Sequence, residues 1–95
     1  MPILSFADGR LESVHEQRHP GKGFPADLIR VVQRKLRYLD AATVLDDLKA
    51  PPGNRLHALK DDRAGQHAIS VNDQFRICFV WTPQGPTEVE FTDYH

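Results

Sequence analysis

The spacing of apolar residues changes once along this chain, near Pro51-Pro52-Gly53. Before the prolines they recur every three to four positions, the period of a helix with one buried side; after them they alternate, the period of a half-buried strand. Asp8 can cap a first helix that carries Leu11, Val14, His15 and Arg18 along one side, and Pro20, Gly21 and Gly23 end it. Pro25 suits the first position of a second helix, in which Leu28, Val32, Leu36 and Leu39 repeat as far as about Ala42. The opposite side of that helix is basic: Arg30, Arg34 and Arg37 stand at i, i+4 and i+7, with Lys35 beside them. Thr43 and Asp46 have the spacing of a capping box for a short helical turn through Leu45 and Leu48, which the two prolines close.

Residues 55–59, 66–71, 75–82 and 87–92 read as four strands rich in β-branched and aromatic side chains. The connections 71–75 and 83–86 are of hairpin length, so an antiparallel meander is the simplest pairing. Phe75, Ile77, Phe79 and Trp81 share one face with Ile69, Val71, Val89 and Phe91, whereas Arg76, Cys78 and Val80 point the other way. The predicted architecture is α+β, with two N-terminal helices packed on one face of an antiparallel, mainly meander, β-sheet.

The 95 residues, 40% of them hydrophobic, suffice for a single domain over 1–95 with one core and leave no room for a second. No stretch approaches the ~18 apolar residues of a membrane span. Met1-Pro2-Ile3-Leu4 runs into Asp8 without the basic start of a signal peptide, so the expected compartment is the cytoplasm and no membrane partner is expected. Cys78 is the one cysteine and cannot form an intramolecular disulfide; between Ile77 and Phe79 it is expected to be buried as a small apolar residue. Twelve Lys and Arg against thirteen Asp and Glu argue against binding nucleic acid by bulk charge. That sum hides a division. Residues 10–37 carry seven basic and three acidic side chains, a balance of +4, while residues 38–95 carry five and nine, a balance of -4. A local basic site is therefore compatible with the near-neutral total.

Two constellations bear chemistry. His15-Glu16-Gln17-Arg18-His19 has the H-E-x-x-H pattern of zinc peptidases, in which one helical face presents two histidines to the metal. Pro20 follows at once and no third ligand stands at a recognisable spacing, so the competing reading is a polar helix end. The second constellation is dispersed: His57 and Lys60 at the first strand, Arg76 on the third, and Asp93-Tyr94-His95 after the fourth. In a meander, strand ends remote in sequence converge on one rim. A histidine, with an ordinary pKa of ~6.5, exchanges protons near neutral pH, and each such transfer is worth about 10²–10⁴ in rate. Lys60 and Arg76 can stabilise charge on phosphate oxygens, the arginine through a two-pronged grip. These are the parts that metal-free phosphodiester cleavage requires; packed or solvated side chains at strand ends are the competing reading.

Three segments also resemble a known family. Pro52-Gly53-Asn54-Arg55-Leu56-His57-Ala58-Leu59-Lys60-Asp61-Asp62-Arg63-Ala64-Gly65, Ile69-Ser70-Val71-Asn72-Asp73-Gln74-Phe75-Arg76-Ile77-Cys78-Phe79 and Asp93-Tyr94-His95 resemble the HigB toxins of the RelE/ParE superfamily, and the likeness begins at Ile3-Leu4-Ser5-Phe6. The resemblance implies a RelE-like fold and the toxin of a type II toxin–antitoxin module. It implies an mRNA interferase that cuts mRNA in the ribosomal A site without a metal or other cofactor. The implied partners are the 70S ribosome, mRNA and a HigA-like helix-turn-helix antitoxin. Carried over position by position, the family's catalytic residues fall on His57, Lys60, Arg76, Asp93, Tyr94 and His95, with the general base open between His57 and His95. Arg30, Arg34, Lys35, Arg37, Arg55 and Arg63 are the candidate contacts to RNA and ribosome. The chain departs from the common form at Asp61, where many relatives have glycine, and at His67, where an aromatic is usual. Two other readings remain: a toxin of the ParE branch that binds DNA gyrase, against which His57, Lys60 and Asp93-Tyr94-His95 speak, and a metal-dependent hydrolase using His15 and His19.

Overall fold

The computed structural model describes residues 1–93; Tyr94 and His95 lie outside the described residues. Helix α1 spans Gly9–His15 and buries Leu11 and Val14. Asp8 precedes it in extended backbone and accepts a hydrogen bond from the Arg10 backbone N–H at 3.0 Å. The Arg10 guanidinium folds onto the same carboxylate, with Nε 3.0 Å from Oδ1 and Nη2 2.8 Å from Oδ2, while its other side lies against the Phe24 and Phe91 rings. Burial pushes the Asp8 carboxyl up, but the hydrogen bonds and positive charge of Arg10 outweigh it and hold the group below its ordinary value. The helix stops earlier than the spacing predicts, before Arg18, because Gln17 turns into left-handed backbone at φ 63°.

Pro25 stands one residue outside the second helical segment rather than at its first position; its extended ψ of 109° leads into a tight turn, Ala26–Leu28, that feeds helix α2, Ile29–Ala41. Val32, Leu36 and Leu39 are buried as the period requires, and so is Lys35. In the following turn, Leu45–Lys49, the carboxylate that folds back is Asp47 and not Asp46, since the turn starts after Val44 and its third residue is therefore 47. Asp47 accepts from the Thr43 N–H at 2.9 Å, the Thr43 hydroxyl at 3.0 Å and the Val44 N–H at 3.3 Å.

Four strands, β1 (His57–Ala58), β2 (His67–Ser70), β3 (Phe75–Thr82) and β4 (Gly85–Asp93), form one antiparallel meander in that order. Strand β3 matches the predicted range, and β4 starts two residues early because Pro83 and Gln84 alone make the hairpin turn. The first strand is two residues instead of five: Arg55 has φ 48°, which breaks extended backbone, although the Leu59 N–H still reaches the Gln66 carbonyl at 2.9 Å. Ile69, Ile77, Phe79, Val89 and Phe91 face the helices and join Leu11, Val14, Val32, Leu36 and Leu39 in one core cluster. An unpredicted feature covers the outer edge of β4. The N-terminal segment runs parallel to it, with Leu4 N–H to the Pro86 carbonyl at 2.8 Å, Val89 N–H to Ser5 at 3.2 Å and Ala7 N–H to Val89 at 2.9 Å.

Asp8→Asn keeps a capping side chain and removes the charge, and is expected to lower stability at neutral pH by about 0.5–1 kcal/mol. The folded state favours the Asp8 carboxylate, so this contribution is present above the ordinary value of 3.8 and is lost as pH falls through the lower folded value. Urea unfolding of both proteins should show a gap that closes in acid; a gap that persists there would assign the effect to geometry rather than charge.

Candidate active site

The face of the sheet turned away from the helices is built from alternate residues of the four strands. Register places Ser70, Arg76 and Thr92 in one row across it, and His57, Ala68, Cys78 and Glu90 in the next. Ala68 and Cys78 are wholly buried, the cysteine as expected from its neighbours, although on this face and not in the helix-facing core. Both are small, so the longer side chains around them close over the floor. The short turn Asp61–Arg63 supplies that cover, and between it and β3 lies a groove of about 320 Å³ lined by Leu59, Lys60, Asp61, Asp62, Arg63 and Arg76.

Of the sequence-predicted residues the groove brings together Lys60, Arg63 and Arg76. The Arg76 Nε donates to the Thr92 hydroxyl at 3.3 Å, and the Cys78 thiol lies 3.3 Å from the same oxygen, so Thr92 fixes the arginine stem. Arg63 is not a roaming surface cation: its Nη1 donates to Glu90 at 2.9 Å and to Gln66 at 3.1 Å, and the Glu90 bond holds its guanidinium more firmly charged than usual. Glu90, Gln66 and Thr92 were not anticipated, yet alternation along β4 from Val89 and Phe91, both on the helix-facing side, would have placed Glu90 and Thr92 on this face.

His57 is exposed at the start of β1, in the row adjoining Arg76, two strands and so roughly 10 Å across the sheet. Its Nδ1 lies 2.9 Å from the Arg55 carbonyl. Arg55 itself is exposed and adopts left-handed backbone, a conformation that costs a non-glycine residue roughly 1–2 kcal/mol. Arg55 caps the short turn Pro52–Asn54, its N–H donating to the Pro52 carbonyl at 3.1 Å, and Asn54 anchors that turn to the interior. The Asn54 side chain is wholly buried, donates to the Leu48 and Ala50 carbonyls at 3.1 and 3.2 Å, and accepts from the Lys35 ammonium at 2.6 Å. Asp93 ends the described part of β4 opposite Phe75, one residue beyond Thr92, and receives a 3.4 Å hydrogen bond from Gln74. It is not among the groove-lining residues; Tyr94 and His95 lie outside the described residues.

The basic side of α2 corrects one expectation. Arg30, Arg34 and Arg37 are exposed and, with Gln33 and Tyr38, line a second groove of about 650 Å³. Lys35 does not join them: it is 5% exposed, committed to Asn54, and burial together with the charge of Arg34 pushes its ammonium below the usual value. The reason is its helical position, three residues after Val32 and four before Leu39, which turns it inward.

The H-E-x-x-H pattern does not form a shared face either. Helix α1 ends at His15, whose Nε2 lies 3.6 Å from Asp40, while His19 sits beyond the left-handed Gln17 and accepts a 2.9 Å hydrogen bond from the Gly21 N–H. Among the described residues no three His, Cys, Asp or Glu side chains are grouped to hold a metal ion.

Residues 4–95 match the model of a family described as the RelE-like toxin of the type II toxin-antitoxin system HigB. The chain belongs to the HigB-like toxins. This HigB-like chain is 38% identical over 78 residues to Toxin HigB-1 of Vibrio cholerae serotype O1, an alignment covering 82% of each protein. It is 32% identical over 73 residues to the Endoribonuclease HigB of Proteus vulgaris, covering 77% of this chain and 78% of that one. Membership of a type II toxin–antitoxin family carries with it an antitoxin partner for this HigB-like toxin. Among its described residues no helix is long and apolar enough to cross a membrane.

Asp61, at φ 56°, sits in left-handed backbone on the groove rim. Asp61→Gly is expected to leave urea stability equal or higher, by no more than about 1 kcal/mol, because glycine adopts that backbone without strain. By removing a negative charge beside Lys60 it should also tighten binding of tripolyphosphate in a titration; weaker binding would show that the Asp61 carboxylate acts by holding a cation of the groove in place.

Proposed function

We propose that this HigB-like toxin is an endoribonuclease that cleaves mRNA in the A site of the 70S ribosome, without a metal or other cofactor, and so stops translation and growth. The observation that carries the reading is the groove itself: Lys60 from one turn and Arg76 from a strand far along the chain meet over a floor of small side chains, with His57 on the same face. Two cations lining one open groove suit a reaction in which charge develops on the phosphoryl oxygens. The resemblance of this chain to a protein named an endoribonuclease supports the same chemistry.

In this scheme a histidine, His57 or His95, takes the proton of a ribose 2′-hydroxyl as that oxygen attacks the adjacent phosphorus in line. The bond to the 5′-oxygen breaks, and a second acid, Tyr94 or the other histidine, gives that oxygen a proton. Lys60 and Arg76 stabilise the phosphorane-like transition state, and Asp93 orients a partner. The products are a 2′,3′-cyclic phosphate, or the 3′-phosphate into which it hydrolyses, and a free 5′-hydroxyl. Arg30, Arg34 and Arg37 on α2 supply phosphate contacts to ribosomal RNA, with Arg55 nearer the cut strand. A HigA-like helix-turn-helix antitoxin completes the module in the cytoplasm.

Induction of the wild type is expected to place transcript ends inside translated reading frames, and His95→Ala to abolish them. In a purified translation system the cuts should carry cyclic or 3′-phosphate ends and persist in EDTA. Cuts lost on chelation would sink the metal-free scheme, and growth arrest without new transcript ends would favour the gyrase-binding reading.

Lys60→Ala or Arg76→Ala should each lower the cleavage rate about 10²–10³-fold with the urea midpoint little changed. Replacing Arg30, Arg34 and Arg37 together with Gln should weaken co-sedimentation with ribosomes and flatten its salt dependence. Unchanged association would remove α2 from the docking surface.

A further inference from the structure

Between the buried interior of the molecule and His57 runs a continuous set of contacts. Lys35 on α2 donates to the Asn54 side-chain oxygen at 2.6 Å, and the Asn54 amide donates to the Leu48 and Ala50 carbonyls at 3.1 and 3.2 Å. The backbone on either side is tied as well, Asn54 N–H to the Pro51 carbonyl at 2.9 Å and Arg55 N–H to the Pro52 carbonyl at 3.1 Å. The chain leaves this anchored turn through its cap, Arg55 at φ 48° and ψ 48°, and the Arg55 carbonyl lies 2.9 Å from the Nδ1 of His57.

A carbonyl oxygen accepts hydrogen bonds and cannot donate them, so the ring nitrogen facing it must bear the proton. In the neutral ring this leaves the lone pair on Nε2. We propose that the Arg55 carbonyl, held by the Asn54–Lys35 clamp, fixes His57 as the Nδ1–H tautomer and thereby makes Nε2 of His57 the nitrogen that takes the 2′-hydroxyl proton. Asn54, Lys35 and the Arg55 backbone are positioning groups for that histidine. The identity of the proton taken rests on the ribonuclease reading; the tautomer does not.

The test exploits the backbone at 55. Arg55→Gly and Arg55→Val both delete the exposed guanidinium and leave the buried clamp intact, but glycine tolerates left-handed backbone and β-branched valine does not. Long-range proton–nitrogen correlation spectra of the full chain without RNA, assigned to His57 by comparison with His57→Gln, report the tautomer. The wild type and Arg55→Gly are expected to show a protonated Nδ1 and an unprotonated Nε2. Arg55→Val is expected to shift His57 toward the Nε2–H form and to cleave mRNA at least tenfold more slowly than Arg55→Gly. The paired variant Lys35→Met with Asn54→Ala, which leaves no buried charge behind, should produce the same spectral change while Arg55 is retained; if that variant does not fold, the glycine and valine pair decides. An unprotonated Nδ1 in the wild type, or identical His57 tautomers in the glycine and valine variants, would overturn the inference. A protonated Nδ1 in a wild type that cuts no RNA would uphold the tautomer and remove the ribonuclease reading.

Discussion

An antiparallel strand shows alternate side chains to the two sides of its sheet, and a pair of short helices can cover only one of them. The rest of this molecule depends on how the chain treats the uncovered side. Toward the helices, Ile69, Ile77, Phe79, Val89 and Phe91 complete an ordinary apolar core. On the other side Arg76, Glu90 and Thr92 keep their polar groups hydrogen-bonded over Ala68 and Cys78, with Arg63 laid across them from a separate turn. The floor is closed to water although no helix lies on it, and the cations above it are set by partners rather than left to swing.

The same economy governs the one lysine taken inside. A buried ammonium is tolerated only when it is hydrogen-bonded, and here it bonds to a neutral amide, with no carboxylate buried beside it among the described residues. Asn54 suits that position because its two amide hydrogens satisfy two carbonyls at the end of the preceding turn while its oxygen remains for Lys35. One side chain thus joins α2, the proline-rich turn and the entrance to the sheet.

Strand β3 and the two faces of the meander were legible because alternation with Phe75, Ile77, Phe79 and Trp81 has a single reading once one face is apolar. Strand β1 was not, since the run 55–59 looks extended although Arg55 closes the short turn Pro52–Asn54 in left-handed backbone, a conformation that an arginine does not signal. Lys35 misled for the opposite reason: the sign of its charge suggested the arginine side of α2, whereas its spacing from Val32 and Leu39 already assigned it to the apolar side. Of the candidate site, the residue types and the convergence of Lys60 with Arg76 could be anticipated. The pairing of Arg63 with Glu90 could not, because it needs the register of β3 with β4, which a bulge between Cys78 and Val80 shifts by one residue along the strand.

The segment at residues 4–7 pairs with a strand some eighty residues further along, the Ser5 hydroxyl accepting from the Glu88 N–H across a separation of 83 residues. During synthesis the first part of this pairing is made before its partner. Contacts so far apart in sequence close slowly relative to local ones, and here they cannot close at all until β4 has left the ribosomal tunnel. A nascent chain stalled before that point has its helices but neither a covered sheet edge nor the Thr92 that fixes Arg76. The groove and the covered sheet edge therefore form only after the strand that follows both helices has emerged, so that the last step of folding is also the one that sets the arginine.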